Sequence, residues 1–160
     1  MSIAAAADME LHCVDLSQAF IQADKIEEGV NGRYFITPPV GYDEEPGVVY
    51  EVLRPLYGVA SSSRALHLTL SSWMKEQGFK TAGFEESIWI RPADSVYEHE
   101  IIMSTHIDDN LMACESLQTL EKFKKTFLTR FDGTDDKEVN TYLGCEVVRD
   151  RANRTLHLRQ

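Results

Sequence analysis

The sequence predicts one α+β domain in which a mixed sheet carries helices on one face. Three observations support this fold class: short apolar segments separated by turn signals, two amphipathic helical patterns, and further strand-like segments after the second pattern. A chain of 160 residues can bury one sizeable core. No internal repeat or linker-like Ser/Gly tract divides it, so residues 1–160 are expected to form a single domain.

The elements of the first third of the chain are predicted to be short. Ser17 is a plausible cap for a helix that follows the first strand, and Asp15 then lies at that strand's end. Asn31-Gly32 is a turn signal. In order, the expected elements are a strand at residues 10–14, a helix at 17–25, a strand at 33–37, an extended or looped segment at 38–46, and a strand at 48–53.

The rest of the chain is predicted to contain two long helices. Apolar residues recur at intervals of three and four over residues 60–77, which predicts an amphipathic helix that ends at Gly78. A second such pattern covers residues 116–131, with Ser116 as its N-cap. The remaining expected elements are strands at residues 87–91, 100–105, 111–114, 141–149 and 155–158, and an acidic loop at 132–138.

Composition limits the classes of function. The net charge of −10, from 26 acidic and 16 basic residues, argues against a self-sufficient nucleic-acid binder, since phosphate contacts need clustered Lys and Arg. Lys122, Lys124 and Lys125 are interpreted as the solvated face of their helix. The sequence has three cysteines without a C-x-x-C pair, no apolar run long enough to span a membrane, and no signal-peptide pattern at its start. These observations predict an intracellular, cytoplasmic protein with no membrane partner.

The strongest candidate for chemistry is the adjacent acidic pair Asp108-Asp109, which the strand pattern places on a tight hairpin turn. Adjacent carboxylates repel each other unless a cation or water compensates their charge. If the strand that ends at Asp15 is a neighbour of this hairpin, two or three carboxylates converge into the oxygen-rich environment that Mg²⁺ prefers. The spacing alone leaves open the simpler alternative of a solvated turn and a helix-capping Asp15.

Six segments, in order along nearly the whole chain, resemble blocks of the copia-type LTR retrotransposon reverse transcriptases. They are residues 11–21 (LHCVDLSQAFI), 34–42 (YFITPPVGY), 49–58 with Arg64-Ala65 (VYEVLRPLYG and RA), 78–79 with 86–89 (GF and ESIW), 106–109 (HIDD) and 142–147 (YLGCEV). The resemblance implies the palm region of a Pol polyprotein, an antiparallel sheet with helices packed on one face. It also implies RNA-directed DNA polymerase activity with two Mg²⁺ or Mn²⁺ ions.

The resemblance also implies roles for individual residues. Asp15, Asp108 and Asp109 would be the catalytic, metal-binding residues. The nucleotide-binding residues would be Gln18, Ala19, Phe20, Tyr57, Gly58, His106 and Ile107, with Phe20 as the bulky residue that excludes a ribose 2′-hydroxyl. Leu143 and Gly144 would form the primer grip.

The implied partners are an RNA or DNA template with its primer, dNTPs, and the remaining Pol regions: fingers, thumb and ribonuclease H. The chain is expected to be a fragment that lacks most of the fingers, the thumb and ribonuclease H.

Some positions depart from the family pattern. His106 stands where the family has Tyr, residues 60–63 (ASSS) replace a basic residue, Gln, Ala and Pro, and Leu66-His67 replaces Trp-Tyr. These changes support a second hypothesis, a degenerate or repurposed palm that acts as a binding or interaction module without polymerase activity. A third, an interaction domain with an unrelated α+β fold, requires all six blocks to be coincidental.

Overall fold

The computed structural model describes residues 1–24, 33–42, 45 and 47–160. Its helices are α1 (Ser2–Ala6), α2 (Ser62–Glu76) and α3 (Leu117–Arg130), with a short 3₁₀ helix at Ala19–Gln22. Its strands are β1 (Glu10–Leu16), β2 (Phe35–Ile36), β3 (Tyr50–Glu51), β4 (Lys80–Thr81), β5 (Ile88–Arg91), β6 (Ile101–His106), β7 (Asp109–Cys114), β8 (Gly133–Glu138), β9 (Thr141–Tyr142), β10 (Cys145–Asp150) and β11 (Thr155–Arg159).

A six-stranded sheet of order β4-β5-β6-β7-β1-β8 forms the centre of the fold. A three-stranded sheet, β11-β10-β9, and the β2-β3 pair accompany it. Every strand pair among the described residues is antiparallel. The α+β class is therefore confirmed, whereas the mixed sheet predicted from the order of elements is wrong.

Helices α2 and α3 pack together on one face of the large sheet. Trp73 of α2 lies against Phe127 and Phe131 at the end of α3, with ring centroids 5.6 and 5.4 Å apart. These rings share a core with Trp89 and Met103 of the sheet. The predicted helix limits are confirmed: α2 is followed by Gly78 at a φ of +84°, and Ser116 accepts a hydrogen bond from the Thr119 N–H at 3.3 Å.

The opposite face of the sheet is covered by α1 and the three-stranded sheet. Leu11 and Cys13 of β1 share a second core with Ala4 of α1 and Val147 of β10. Because β1 side chains alternate between the two faces, even-numbered Val14 and Leu16 would point to α2 and α3, and both belong to that first core. The expectation of helices on one face holds for the two long helices and is wrong for α1.

The predicted helix at residues 17–25 is wrong within its described part. Gln18 has a left-handed φ of +48°, and only a 3₁₀ turn, Ala19–Gln22, follows it. The N-cap position is Gln18 rather than the predicted Ser17, and the Gln18 side chain makes no capping hydrogen bond. The chain is instead fixed by the Gln22 side-chain amide, which donates to the Ser17 and Asp132 carbonyls at 2.6 and 2.7 Å.

The acidic segment at residues 132–138 forms strand β8 rather than the predicted loop. It pairs with β1 at one edge of the large sheet, and a register irregularity lies opposite Cys13 and Val14. Charged side chains and a bulge are common on edge strands, where they discourage pairing with other chains. The apolar alternation that identifies a strand is therefore missing from this segment.

Several smaller boundaries also differ from the prediction. The strand predicted at residues 141–149 is interrupted by a turn at Leu143-Gly144, and β4 has no predicted counterpart. Strands β2 and β3 are only two residues long. The Asn31-Gly32 turn and part of the 38–46 segment lie outside the described residues. In the part of the chain that is described, no helix is long and apolar enough to cross a membrane.

Candidate active site

The register between β1 and β7 brings the candidate aspartates to one end of the two central strands. Asp15 is the direct partner of Asp109, and His106 of β6 pairs with Asp109 from the other side. The turn between β6 and β7 consists of Ile107 and Asp108, and the Leu16 N–H donates to the Asp108 carbonyl at 3.0 Å. The neighbourhood that the sequence argument required, β1 beside the acidic hairpin, is therefore present.

The hairpin turn has a strained backbone and is held by hydrogen bonds from the buried Asn110 side chain. Ile107 has a φ of +55°, which is unfavourable for a β-branched residue. Asn110 is fully buried, and its side-chain amide donates to the Asp108 carbonyl at 2.8 Å and to the Val14 carbonyl at 3.4 Å. Asn110 thus ties the turn to β1 and offsets part of the cost of its backbone conformation.

Burial, and then like charge, raise the pKa values of two of the aspartates. The pKa of Asp15 lies above its ordinary value because of burial, then because of the charges of Asp108, Asp109 and Asp136. The pKa of Asp109 is raised by burial and by Asp108 and Asp136, with His106 acting in the opposite direction. The charged forms of Asp15 and Asp109 are therefore less favourable than in water, and a bound cation would stabilise them.

Asp136 is a fourth acidic residue near this group, and the sequence analysis missed it. Val14 pairs with Asp135 and Cys13 pairs with Lys137, so Asp136 is the extra residue of the β8 irregularity. Burial, the charge of Asp109 and then the charge of Asp136 raise the pKa of Cys13 to about 11. Asp135-Asp136 is an adjacent acidic pair like Asp108-Asp109, and the same repulsion argument would have singled it out.

The donor types fit a hard cation, although the side chains are not gathered around one point. Among the described residues, no group of three or more His, Cys, Asp or Glu side chains is placed to hold a metal ion. Asp15 and Asp109 are direct cross-strand partners, for which Cβ atoms are typically about 5 Å apart. With their Cβ atoms this close, the two side chains could turn their carboxylate oxygens, which are ligands that Mg²⁺ prefers, toward a shared ion.

The structure brings two of the predicted nucleotide-binding residues into contact. The Phe20 and Tyr57 rings meet edge to face, with centroids 4.6 Å apart. Phe20 is buried, whereas Tyr57 is 61% exposed, so only one ring of the pair presents a free surface. Gln18 is the N-cap of the 3₁₀ helix and Ala19 its first residue, directly before Phe20. Gly58 follows Tyr57 with a φ of +88°.

His106 and Ile107 line a hollow of about 210 Å³ on the side of α2. Ser63, Leu66 and His67 form its opposite wall, and these belong to the positions that depart from the family pattern. The departures are therefore grouped beside the acidic hairpin rather than scattered over the fold.

Leu143 and Gly144, the predicted primer-grip residues, form the turn of the β9–β10 hairpin. Their φ values of +49° and +76° match the type I′ turn that a two-residue hairpin favours. Leu143 is about half exposed and borders an apolar cleft of about 410 Å³ between the small and large sheets. This cleft opens beside Leu11 and Leu111 of the central strands.

The interpretation of the three lysines as a solvated face is wrong for Lys124. Lys122 and Lys125 are exposed, but Lys124 is fully buried. Its ammonium group lies 2.9 Å from Asp135, 2.8 Å from Nδ1 of His12 and 2.7 Å from Glu121. The helical pattern could not reveal this, because two of the three partners come from β1 and β8.

Comparisons with known proteins agree with the motif resemblance. The profile of the family described as reverse transcriptase (RNA-dependent DNA polymerase) matches residues 1–160. The retrovirus-related Pol polyprotein from transposon TNT 1-94 of Nicotiana tabacum is 25% identical over 162 residues, covering 100% of this chain and 12% of that polyprotein. The Pol polyproteins from transposons RE1 and RE2 of Arabidopsis thaliana are 26% and 24% identical, each covering 92% of this chain and 10% of their own length. The chain thus spans about a tenth of these curated relatives.

Proposed function

The chain belongs to the reverse transcriptase family, within its copia-type class, and we propose that it forms the palm of an RNA-directed DNA polymerase. The primer 3′-hydroxyl would attack the α-phosphate of a dNTP, with pyrophosphate as the leaving group. The observation that supports this most directly is the β1–β7 register, which sets Asp15 opposite Asp109 and beside the Asp108 turn. Positioning and electrostatic stabilisation dominate such a phosphoryl transfer.

Asp15, Asp108 and Asp109 would hold two Mg²⁺ or Mn²⁺ ions. When bound, such ions supply charge stabilisation to both the attacking and the leaving oxygens. The protein's part is to keep the three carboxylates on one sheet end, where burial and neighbouring charge raise the pKa values of Asp15 and Asp109 and a bound cation would stabilise their ionised forms.

The residues around the aspartates would orient the nucleotide and the primer. The buried Phe20 ring, in contact with Tyr57, would form the wall that rejects a ribose 2′-hydroxyl. Backbone N–H groups at Gln18 and Ala19 would face the triphosphate, with Gly58, His106 and Ile107 completing the pocket. Leu143-Gly144, at the tip of a short hairpin, would touch the primer end.

The partners of this chain would be a template with its primer, dNTPs and other Pol regions, and those regions would supply basic residues for phosphate contacts. A net charge of −10 gives little affinity for phosphates without cations. We therefore infer that fingers, thumb and ribonuclease H regions of a longer Pol polyprotein cooperate with this palm in processive synthesis. The chain's length of about a tenth of its relatives is consistent with such an arrangement.

Metal-dependent incorporation on a primed homopolymer tests the proposal. We expect labelled nucleotide to be added with Mg²⁺ or Mn²⁺, and the Asp108→Asn variant to lose at least about a hundredfold of that activity. Glu98→Gln, which removes one charge from an exposed position, is the matched control and should retain the parent rate. An Asp108→Asn protein as active as the parent would refute the assignment.

A metal-binding measurement distinguishes a palm that binds ions but does not polymerise from a chain that has no two-metal site. Mn²⁺ titration followed by electron paramagnetic resonance should show ions that Asp108→Asn removes and Glu98→Gln does not. If Mn²⁺ binds in this way but no nucleotide is incorporated, the non-polymerising module becomes the better description. If no Asp108-dependent Mn²⁺ binding occurs, the two-metal proposal fails.

A further inference from the structure

Lys124 is an unusual residue in this fold because it is a fully buried cation. It joins three elements: its own helix α3, β1 through His12, and β8 through both carboxylate oxygens of Asp135 at 2.9 Å. Glu121, one turn earlier on α3, is 2.7 Å away and completes the cluster. Burial and the charge of Lys124 lower the pKa of His12, so its ring is neutral at neutral pH and accepts the lysine's hydrogen bond.

Replacing a buried ion pair by apolar residues often costs nothing or increases stability. The cluster is therefore a poor device for stability alone. A buried ion pair can instead select one strand register among several, and the position of this cluster beside the β1–β8 pair suggests that role.

The cluster lies at the irregular register between β1 and β8. Asp135 is the partner of Val14, next to Asp15, and its carboxylate also accepts from the Lys137 N–H at 3.0 Å. Lys137 has a φ of +60°, as expected of a residue in a bulge. One carboxylate thus binds Lys124 and fixes the bulge from which Asp136 acts on the aspartates.

Two further contacts show how closely β8 approaches Asp15. Gly133 has no room for a side chain, because a Cβ atom there would lie 2.5 Å from the Asp15 carbonyl oxygen. The Gln22 amide also binds the Asp132 backbone, accepting from its N–H at 2.6 Å. A small displacement of β8 would therefore be transmitted directly to the Asp15 backbone.

We propose that Lys124 is a positioning residue for the aspartate group, acting through Asp135 on the β8 bulge and through His12 on β1. This inference rests on the proposed function. Lys124 does not touch the reacting atoms; it sets where Asp15 lies relative to the Asp108-Asp109 hairpin, and it sets how close Asp136 comes to them. Loss of Lys124 frees the bulge and widens the spacing of the carboxylates.

The test compares Mn²⁺ affinity with stability in matched variants of the full chain. Lys124→Met should weaken Asp108-dependent Mn²⁺ binding by about tenfold or more, the usual effect of losing a residue that orients metal ligands. Lys125→Met removes an exposed lysine from the same helix and should leave both quantities unchanged. The double variant Lys124→Met/Asp135→Leu should recover the unfolding free energy, since the Asp135 carboxylate is removed with its partner and the remaining carboxylate, Glu121, is partly exposed to water, yet it should remain weak in Mn²⁺ binding.

A second readout follows the position of β1 without any metal. The Leu16 amide donates to the Asp108 carbonyl, so its hydrogen exchange reports the contact between β1 and the hairpin. In Lys124→Met we expect Leu16 to exchange faster while amides of the β5–β6 pair keep their protection.

The outcomes are distinguishable. Unchanged Mn²⁺ affinity in Lys124→Met, recovery of affinity together with stability in the double variant, or equal loss of protection at all amides would each overturn the positioning role. If the parent chain shows no Asp108-dependent Mn²⁺ binding, the proposed function fails and the positioning role in metal binding falls with it. The Leu16 exchange then shows whether Lys124 still orders the strand.

Discussion

Partial burial, reinforced by repulsion among a few carboxylates, raises the pKa values of the site at the scale of single residues. Asp15 and Asp109 both have raised pKa values because they are partly buried beside one another and beside Asp108 and Asp136. A group whose pKa is higher in the folded state binds more protons there than in the unfolded state. The free energy of unfolding therefore falls as pH rises from the unfolded pKa through the folded one.

Asp15→Asn should remove part of this cost. The variant should be more stable than the parent at about pH 7, and the difference should shrink as the pH falls through the raised pKa of the folded parent, where its Asp15 carboxyl takes up a proton. Urea unfolding at several pH values measures this, with Glu98→Gln as the charge-matched control. A difference that grows on acidification would contradict the account.

Ile107 carries the clearest backbone strain at the site. A β-branched residue at a φ of +55° costs about 1–3 kcal/mol. Ile107→Gly should therefore raise the free energy of unfolding by about 1 kcal/mol, because glycine adopts this conformation freely and the side chain is 40% exposed. Thermal denaturation tests it, and Ile107→Val, which keeps the strain, should show no such gain.

At the scale of elements, strand β8 has no apolar alternation that predicts it, and it pairs with β1, the strand that carries Asp15. Its close approach to β1 depends on Gly133, whose α-hydrogen faces the Asp15 carbonyl where a methyl group cannot fit. The strand therefore tolerates exposed charges along its outer side, whereas the position whose Cβ atom would meet the Asp15 carbonyl oxygen must remain glycine.

Gly133→Ala should displace β8 from Asp15. We expect a loss of about 1–3 kcal/mol in unfolding free energy, as is typical of overpacking. Weaker Asp108-dependent Mn²⁺ binding should accompany it. Thr134→Ala, at the exposed neighbouring position, is the control and should change neither quantity. Parent-like stability and metal affinity in Gly133→Ala would show that β8 can move without consequence.

Sequence patterns predicted the elements whose signals are local. The two long helices have apolar residues at helical spacing and recognisable ends at Gly78 and Ser116, and the predictions for them were right. The 3₁₀ turn after β1 was missed because the left-handed conformation of Gln18 depends on contacts that Gln22 makes with Asp132, distant in the chain.

The candidate site was predictable only in part, for the same reason. Strand ends and a hairpin turn predicted that Asp15 lies near Asp108-Asp109 only if their strands were neighbours, and the β1–β7 pairing confirms that condition. Lys124 was missed because its buried position comes from partners on β1 and β8. Asp136 belongs to an adjacent acidic pair that the repulsion argument could have identified, but its place beside the aspartates depends on the β8–β1 pairing, which an acidic edge strand without apolar alternation does not reveal. The roles of the predicted nucleotide and primer residues stay predictions.

At the scale of the whole molecule, the surplus of acidic groups sets how nucleic acid can be bound. With a net charge of −10, few lysines and arginines are available to replace counterions on a phosphate backbone. Any affinity for a primer–template should therefore depend on divalent ions more than on direct basic contacts.

Fluorescence anisotropy with a labelled primer–template tests this dependence. We expect affinity to rise when Mg²⁺ is added and to fall only shallowly with monovalent salt, corresponding to fewer than about six phosphate contacts. Asp108→Asn should lose most of the Mg²⁺ effect, and Glu98→Gln should keep it. Steep salt dependence with Mg²⁺ chelated would instead reveal a basic surface.

The unequal surroundings of the three thiols have a practical consequence. Cys13 and Cys114 are buried with raised pKa values, whereas Cys145 is partly exposed at the start of β10. A maleimide dye should therefore attach at Cys145 first, which mass spectrometry of tryptic peptides can verify. Because Cys145 directly follows the Leu143-Gly144 turn, the wild-type chain offers a ready attachment point for an optical reporter of duplex docking.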